Sequence, residues 1–228
     1  MQIIAHIQTD FVTKFGIPRQ SGLIPETEGR IVFTPAYRNP DAVRGLEGFS
    51  HIWLIWQFSE ALRSDWSPTV RPPRLGGDQR MGVFATRSPF RPNALGLSSV
   101  QLKAIDYESP EGPVLVVAGA DLLHQTPLYD IKPYLAYTDS HPEARGGFTE
   151  NLDPTALEVV CPSAFFDLVD PARRPALRAV LAQDPRPRYQ KDPERIYAFE
   201  FGDYHVRFQV VGTVLTVVHL SRLSPDVY

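Results

Sequence analysis

The sequence contains a single cysteine, Cys161, among 228 residues. One cysteine excludes an internal disulfide framework and a cysteine-based zinc cluster, and it fits a reducing cytoplasm. We interpret Cys161 as a small buried apolar residue rather than a catalytic thiol. His51 lies inside an apolar run and is interpreted as a hydrogen-bonded core histidine. The histidines show no spacing typical of metal ligands, so we predict no metal site.

Long apolar runs are also missing. The first residues, MQIIAHIQTDF, lack a basic stretch followed by an apolar segment of signal-peptide length. No segment approaches the roughly 18 consecutive apolar residues of a membrane-spanning helix. No strand is followed by a GxGxxG loop, which argues against a Rossmann-type nucleotide site. We therefore expect a cytoplasmic protein without a membrane partner.

Short apolar runs separated by turn residues fill residues 1–140. The runs are rich in β-branched and aromatic residues, and the 22 prolines of the chain argue against long helices. This pattern predicts strands arranged as a barrel or a sandwich. The segment PDAVRGLE at 40–47 predicts one or two helical turns.

The polar segment 138–155 carries glycine and proline, and we place a domain boundary there. Beyond it, the apolar residues within 177–181 have helical spacing. The last forty residues alternate apolar and polar positions, which predicts antiparallel strands. The fold is therefore predicted to be mainly β, with a strand-rich domain over 1–140 and a small C-terminal α+β domain over 150–228.

The segment 71–98 is the most informative stretch, because it concentrates arginine, proline and glycine. The whole chain has a formal net charge of -3, whereas the arginines here are opposed by Asp78 alone. This local positive charge suits an anionic ligand such as a phosphate backbone or a carboxylate. The prolines stiffen the backbone that carries the arginines, which limits the entropy lost on binding. The arginines are Arg71, Arg74, Arg80, Arg87 and Arg91.

Five segments in chain order form a recognisable combination: FGIPRQSGL at 15–23, VRGLEGFSHIW at 43–53, ATRSPFRPNALGLS at 85–98, DLLHQTPLYDIKPY at 121–134 and AQDPRPRYQK at 182–191. The combination resembles the TsaA-like (YaeB-like) family of S-adenosylmethionine-dependent tRNA methyltransferases. The resemblance implies methylation of the exocyclic N6 amine of threonylcarbamoyl-adenosine at position 37 of tRNA. It also implies an N-terminal β-barrel that binds the methyl donor near a subunit interface. The expected partners are therefore the tRNA anticodon loop and a second copy of the chain.

The resemblance also assigns residues to the S-adenosylmethionine pocket. Arg87 is expected to contact the donor, Leu97 to pack against its adenosine, and Asp121 to accept hydrogen bonds from its ribose or amino group. The sequence alone leaves open an ion pair for Arg87 and a core position for Leu97. The other expected donor contacts are Arg19, Gln20 and Leu122.

The lone pair of the acceptor amine is delocalised into the purine, which makes the amine a weak nucleophile. Catalysis therefore requires a group that accepts a hydrogen bond from the amine or removes its proton. Asp130 is the expected proton acceptor, with Asp121 as the second candidate, but Lys132 could hold Asp130 in an ion pair. Tyr134, together with Tyr129, is expected to stack on an extruded base. Core packing of the two tyrosines is the alternative.

Phosphate contacts with the anticodon loop are expected from two basic segments, although some of these charges are expected to be merely solvated. Two other functions stay open: a non-catalytic RNA-binding module that has lost donor binding, and a methyltransferase for another small acceptor. The predicted tRNA contacts are Arg71, Arg74, Arg80 and Arg91 in the first segment, and Arg186 and Lys191 in the second.

Overall fold

The computed structural model describes residues 1–72, 79–150, 156–186 and 192–223. These residues form twelve strands and three short α-helices. The helices are α1 (Ala136–Asp139), α2 (Ser163–Phe166) and α3 (Arg174–Ala182). The strands are β1 (Ala5–Thr9), β2 (Glu28–Phe33), β3 (His51–Gln57), β4 (Thr69–Val70), β5 (Met81–Gly82), β6 (Leu95–Asp106), β7 (Val114–Ala118), β8 (Thr126–Pro133), β9 (Glu158–Val160), β10 (Tyr197–Phe201), β11 (Tyr204–Val211) and β12 (Val214–Arg222).

Six strands close into a barrel in the order β1-β2-β7-β6-β3-β8, and every neighbouring pair is antiparallel. Burial alternates along the strands. In β3, Ile52, Leu54 and Trp56 are buried in the barrel core, whereas the residues between them are half-buried. Closure leaves no unpaired strand edge in the barrel. The predicted mainly β fold with an N-terminal barrel is confirmed.

The second β structure is a four-stranded sheet in the order β10-β11-β12-β9. The sequence predicted its antiparallel strands and the helix α3, whose apolar residues pack on the sheet. It did not predict β9, which pairs in parallel with β12. Cys161, next to β9, is half-buried against this core, and burial raises the pKa of its thiol. The interpretation of Cys161 as a packing residue is consistent with this position.

The chain between β1 and β2 leaves the barrel and joins the core of the C-terminal sheet. Phe11 and Ile24 are buried there, and the Phe11 ring packs edge-on against Phe201 with centroids 6.0 Å apart. The Gly202 backbone N–H also donates to the Asp10 carbonyl at 2.6 Å. The loop that carries the motif of residues 15–23 is therefore held by the second core. The division into domains 1–140 and 150–228 stays a prediction.

Helices are short throughout the described ranges. The helix predicted over 40–47 is a pair of 3-10 turns, Pro40–Val43 and Leu46–Gly48, separated at Gly45, whose φ is +86°. A left-handed residue such as Gly45 interrupts helical hydrogen bonding. Within the described parts of the chain, no helix has the length and apolar character needed to cross a membrane.

Candidate functional site

A cleft of about 730 Å³ lies against strands β3 and β6. Its other walls come from the loops around residues 17–20, 58–63 and 86–91, and from residues that follow β7. This volume lies within the usual range of small-molecule sites. The cleft brings together five of the residues predicted to bind the donor: Arg19, Gln20, Arg87, Leu97 and Asp121.

One wall of the cleft is aromatic. Trp56 on β3 lies opposite Gly96 on β6, and a Cβ atom at position 96 would overlap the Trp56 indole. The Phe58 ring packs edge-on against Trp56, with centroids 4.3 Å apart. Gly96 thus lets the indole lie directly on the neighbouring strand. The result is a fixed apolar surface along the cleft.

Asp121 is mostly buried and is held by hydrogen bonds. The Ser98 hydroxyl donates to Asp121 Oδ1 at 2.6 Å, and Trp56 Nε1 donates to Ser98 Oγ at 3.0 Å. Burial raises the pKa of the Asp121 carboxyl, against the opposing effects of Ser98, the backbone N–H of Ser21 and the charge of Arg87. Asp121 is therefore an oriented carboxyl group whose ionised form is less stable than in water.

The loop of residues 19–22 is docked beside Asp121. The Gly22 N–H donates to the Gly119 carbonyl at 2.8 Å. Gly119 has a φ of +74°, and a Cβ atom there would lie 3.2 Å from Gly22 Cα. Glycine at 119 therefore permits both the left-handed backbone and the close approach of the loop. This contact fixes Arg19 and Gln20 next to the carboxyl group.

Arg87 reaches across the cleft and donates to Gln20 Oε1. Among the described residues, Arg87 forms no ion pair. Lys14 and Glu60 pair with each other at 3.2 Å. The cleft thus has a positive excess, since its charged residues are Lys14, Arg19, Arg63, Arg87 and Arg91 against Glu60 and Asp121.

The two predicted leucines have opposite positions. Leu97 is 56% exposed in the cleft, so the alternative of a core leucine is wrong. Leu122 is fully buried in the barrel core, and its carbonyl accepts a hydrogen bond from Thr9 Oγ1 at 3.0 Å. The Leu122 side chain therefore does not reach the cleft, because it fills the barrel interior.

The predicted proton acceptor Asp130 is not among the residues that line the cleft. Its carboxylate lies 2.8 Å from Lys132 Nζ and also accepts from the Ile131 N–H at 2.9 Å. The sequence had left this ion pair open as the alternative to a catalytic role.

Tyr134 is likewise absent from the cleft lining. Its ring packs against Trp53, which lines the cleft, with centroids 5.5 Å apart. The Tyr129 hydroxyl donates to Gln57 Oε1 at 2.7 Å. The two tyrosines thus support the cleft wall. His51 is exposed at the start of β3, beside Ser50 Oγ at 3.0 Å, so its interpretation as a core histidine is wrong.

The predicted tRNA contacts separate into distinct positions. Arg91 lines the cleft, whereas Arg71 is exposed directly after β4. Arg186 is mostly buried, and its guanidinium donates to both carboxylate oxygens of Asp184, at 2.8 and 3.0 Å. These hydrogen bonds raise the pKa of Arg186. Because this guanidinium is engaged inside the protein, it is a poor phosphate contact. Arg74 and Lys191 lie outside the described residues.

Sequence reasoning missed Ser98, Trp56 and Gly96. A usable signal existed for Ser98, because it occupies a buried phase of β6 two residues before the buried Val100. A hydroxyl on the buried face of a strand needs a partner, and here that partner is Asp121. In the described part of the chain, no group of three or more His, Cys, Asp or Glu side chains could hold a metal ion.

Comparison with known proteins identifies relatives of this chain independently of the cleft geometry. The family model for the tRNA-methyltransferase O N-terminal domain matches residues 6–140, and that for the TrmO C-terminal domain matches residues 170–223. The chain is 43% identical over 227 residues to a tRNA (adenine(37)-N6)-methyltransferase of Escherichia coli, covering 96% of each protein. It is 38% identical over 220 residues to a Pseudomonas aeruginosa protein provisionally named S-adenosylmethionine-dependent methyltransferase RcsF, covering 90% of each. A crystal structure of TrmO from Pseudomonas aeruginosa superimposes with a TM-score of 0.75 at 31% identity, covering 96% of this chain and 97% of that one.

Proposed function

The chain belongs to the tRNA-methyltransferase O family, and from that premise we propose that it methylates the N6 amine of threonylcarbamoyl-adenosine at position 37 of tRNA. As a member of this family it is an enzyme, a tRNA (adenine(37)-N6)-methyltransferase. One observation carries the finer proposal: a single cleft combines a buried carboxyl group, an excess of cationic side chains and an aromatic wall.

The residues of the cleft fit S-adenosylmethionine as the donor. Arg87 and the neighbouring Gln20 would bind its amino-acid end, since a guanidinium is a strong partner for a carboxylate. Leu97 and the Phe58 ring, which is backed by the largely buried Trp56, would bind its adenine. When bound, S-adenosylmethionine supplies an electrophilic methyl group on a positively charged sulfur. The fixed strands hold the polar and apolar contacts in one arrangement, as an in-line transfer requires.

The charge of the cleft supports a threonylcarbamoyl group on the acceptor. This group carries a carboxylate that unmodified adenosine lacks. Once Arg87 binds the donor, cations remain along the same cleft, among them Arg63 and Arg91. A desolvated cation–carboxylate pair would distinguish the modified base from unmodified adenosine.

We propose Asp121 as the group that accepts the hydrogen of the acceptor amine, in place of Asp130. Asp121 lines the cleft and is oriented by Ser98, whereas Asp130 is paired with Lys132 and is not part of the cleft lining. The raised pKa of Asp121 makes it a stronger base than an exposed aspartate. Hydrogen-bond acceptance by Asp121 would localise the amine lone pair on nitrogen for attack.

The substrate is tested with two otherwise identical tRNAs. One carries threonylcarbamoyl-adenosine without the methyl group, and the other carries unmodified adenosine at position 37. Each is incubated with the protein and S-adenosylmethionine labelled in its methyl group, and then digested to nucleosides. We expect label in the threonylcarbamoyl-adenosine fraction of the first tRNA and none in the second. Label confined to the second tRNA, or present in neither, would contradict the substrate proposal.

We further propose that the protein works as a homodimer in the cytoplasm and receives the anticodon loop at the mouth of the cleft. The family resemblance supports the dimer, and tRNA as substrate supports the compartment and the loop. Light scattering coupled to size exclusion measures the mass in solution, and a monomeric mass at working concentration would contradict the dimer. Fluorescence of a tagged chain in cells tests the compartment.

A further inference from the structure

Two large aromatic rings lie exposed beyond the rim of the cleft. Trp66 is 52% exposed and Phe84 is 71% exposed, and their rings stack with centroids 6.1 Å apart and an interplanar angle of 30°. We call this pair the aromatic patch. Exposed rings in mutual contact form a continuous apolar surface, which is a feature of interaction sites.

The β4–β5 hairpin holds the aromatic patch together. Trp66 precedes β4, and Phe84 follows β5 in the 3-10 turn Val83–Ala85. The N–H of Val83 donates to the Pro68 carbonyl at 2.9 Å, and the Val83 side chain is buried. Burial of Val83 anchors the turn and leaves its neighbour Phe84 in solvent. The exposure of Phe84 is thus built into the fold.

Positive charge lies beside the aromatic patch. The Arg91 guanidinium lies 5.9 Å from the centre of the Phe84 ring, and its Nη1 donates to the Thr86 carbonyl at 2.8 Å. Across residues 62–72 and 79–91, the charged residues are five arginines and a single acid, Asp65. An apolar, stackable surface with cations beside it matches the bases and phosphates of a single-stranded nucleic acid.

The aromatic patch continues from the cleft. Leu62, Arg63 and Arg91 line the cleft, whereas Trp66 and Phe84 lie outside it. The Arg63 guanidinium also covers the ring of Phe90, another residue of the cleft, at 3.8 Å from its centre. If one nucleotide enters the cleft, its neighbours in the chain lie over this rim. A small acceptor would not reach the aromatic patch.

We propose that Trp66 and Phe84 stack on unpaired bases that flank the methylated adenine in the tRNA anticodon loop. The proposal rests on the proposed function and adds a contact that positions the loop. A second copy of the chain is a less suitable occupant, because a two-fold contact through this patch would bring two sets of arginines together. RNA provides both the aromatic faces and the opposite charge.

The test uses leucine substitutions at exposed positions. Trp66→Leu, Phe84→Leu and the double variant keep apolar bulk but remove the aromatic faces. The matched control is Tyr137→Leu, since Tyr137 is 88% exposed on α1 and absent from the cleft lining. Binding is measured with an anticodon stem-loop RNA and without methyl transfer. We expect the double variant to bind about 10- to 100-fold more weakly, as the loss of base stacking predicts. The control should bind this RNA with the affinity of the unmodified protein. The same affinity is expected for a double variant that keeps both aromatic faces, Trp66→Phe with Phe84→Tyr.

A second RNA identifies the bases. It carries abasic sites at the nucleotides flanking position 37 and keeps every phosphate. We expect this RNA to bind the unmodified protein more weakly than the intact stem-loop does. The double leucine variant should bind the abasic RNA with the same affinity as the unmodified protein, because each change removes the same contact. Calorimetric titration of S-adenosylmethionine should give equal affinities for the unmodified protein and the double variant.

Two results would overturn the proposal. One is an unchanged stem-loop affinity in the folded double variant. The other is a changed oligomeric mass in that variant, with each folded subunit still binding RNA normally, which would assign the patch to a second copy of the chain. Absence of methyl transfer by the unmodified protein would instead contradict the proposed function, while the binding measurements would still decide the role of the patch.

Discussion

The floor of the cleft and its rim are built from different kinds of structure. The floor uses side chains of the barrel strands β3 and β6. Ser98 donates to Asp121 and itself accepts a hydrogen bond from Trp56. The rim uses loops and a 3-10 turn, and it carries exposed arginines and aromatic rings. The floor therefore has one fixed arrangement, which suits a reaction that depends on alignment. The rim has charge and rings spread over an exposed surface, which suits a polymer.

Asp121→Asn has the largest expected effect, because it removes the proposed proton acceptor from the floor. We expect kcat to fall about 100-fold or more, the usual contribution of a general base. In the unmodified protein the rate should fall as the pH decreases through the raised pKa of Asp121. The Asn variant should lack this acidic limb. Initial rates across a pH series provide the measurement.

The same substitution has an opposite expected effect on stability. A carboxyl group with a raised pKa contributes stability that is complete below its unfolded-state pKa and is lost as the pH rises through its folded-state value. At neutral pH the neutral amide should therefore raise the free energy of unfolding, measured in urea. Asp130→Asn is the matched control and should change neither quantity appreciably. If Asp130→Asn loses activity and Asp121→Asn does not, then Asp130 is the proton acceptor.

Arg87→Ala tests the binding of the methyl donor, and its expected effect is smaller than that of Asp121→Asn. Hydrogen bonds to a charged group contribute about 1.5–3 kcal/mol, so S-adenosylmethionine should bind about 10- to 100-fold more weakly. Calorimetry with the donor alone checks this. Arg30→Ala, which removes a barrel arginine 3.7 Å from Asp106, should leave donor binding unchanged. Equal donor affinity in the Arg87 variant would remove this residue from the donor site.

Arg186→Ala has the smallest expected effect on tRNA binding. The substitution breaks the pair with Asp184 and should lower the free energy of unfolding by about 1–3 kcal/mol. It should not change the salt dependence of tRNA binding, whereas Arg91→Ala should reduce the logarithmic slope by about one. Filter binding over a salt series compares the two variants. A reduced slope in the Arg186 variant would show that this guanidinium leaves Asp184 to contact phosphate.

The barrel could be predicted from sequence because its burial alternates locally. The run HIWLIWQ buries every second residue, and this pattern is visible without any neighbour. The strand β9 could not be predicted, because three residues that pair in parallel with a distant strand have no local signature. Local periodicity reports an element, whereas pairing depends on the rest of the chain.

The sequence predicted which residues form the site better than it predicted the role of each residue. Asp121 and Asp130 lie in the same motif. The sequence offered Lys132 as a partner for Asp130, but only the folded chain shows that this pair forms and that Ser98 contacts Asp121. Arg186 resembled a free cation in sequence, but Asp184 has a φ of +53° and its carboxylate accepts both guanidinium hydrogen bonds. Such differences arise from backbone conformation and strand pairing, which single residues do not encode.

The attachment of the loop after β1 to the C-terminal sheet sets an order of events during synthesis. All six barrel strands have been synthesised once residue 133 is made, but Phe11 still lacks Phe201, and Asp10 lacks the N–H of Gly202. The segment with Arg19 and Gln20 therefore gains its full set of anchors only when the last strands emerge. All strands of the barrel are therefore available early, whereas the loop that carries Arg19 and Gln20 is fully anchored only near the end of translation.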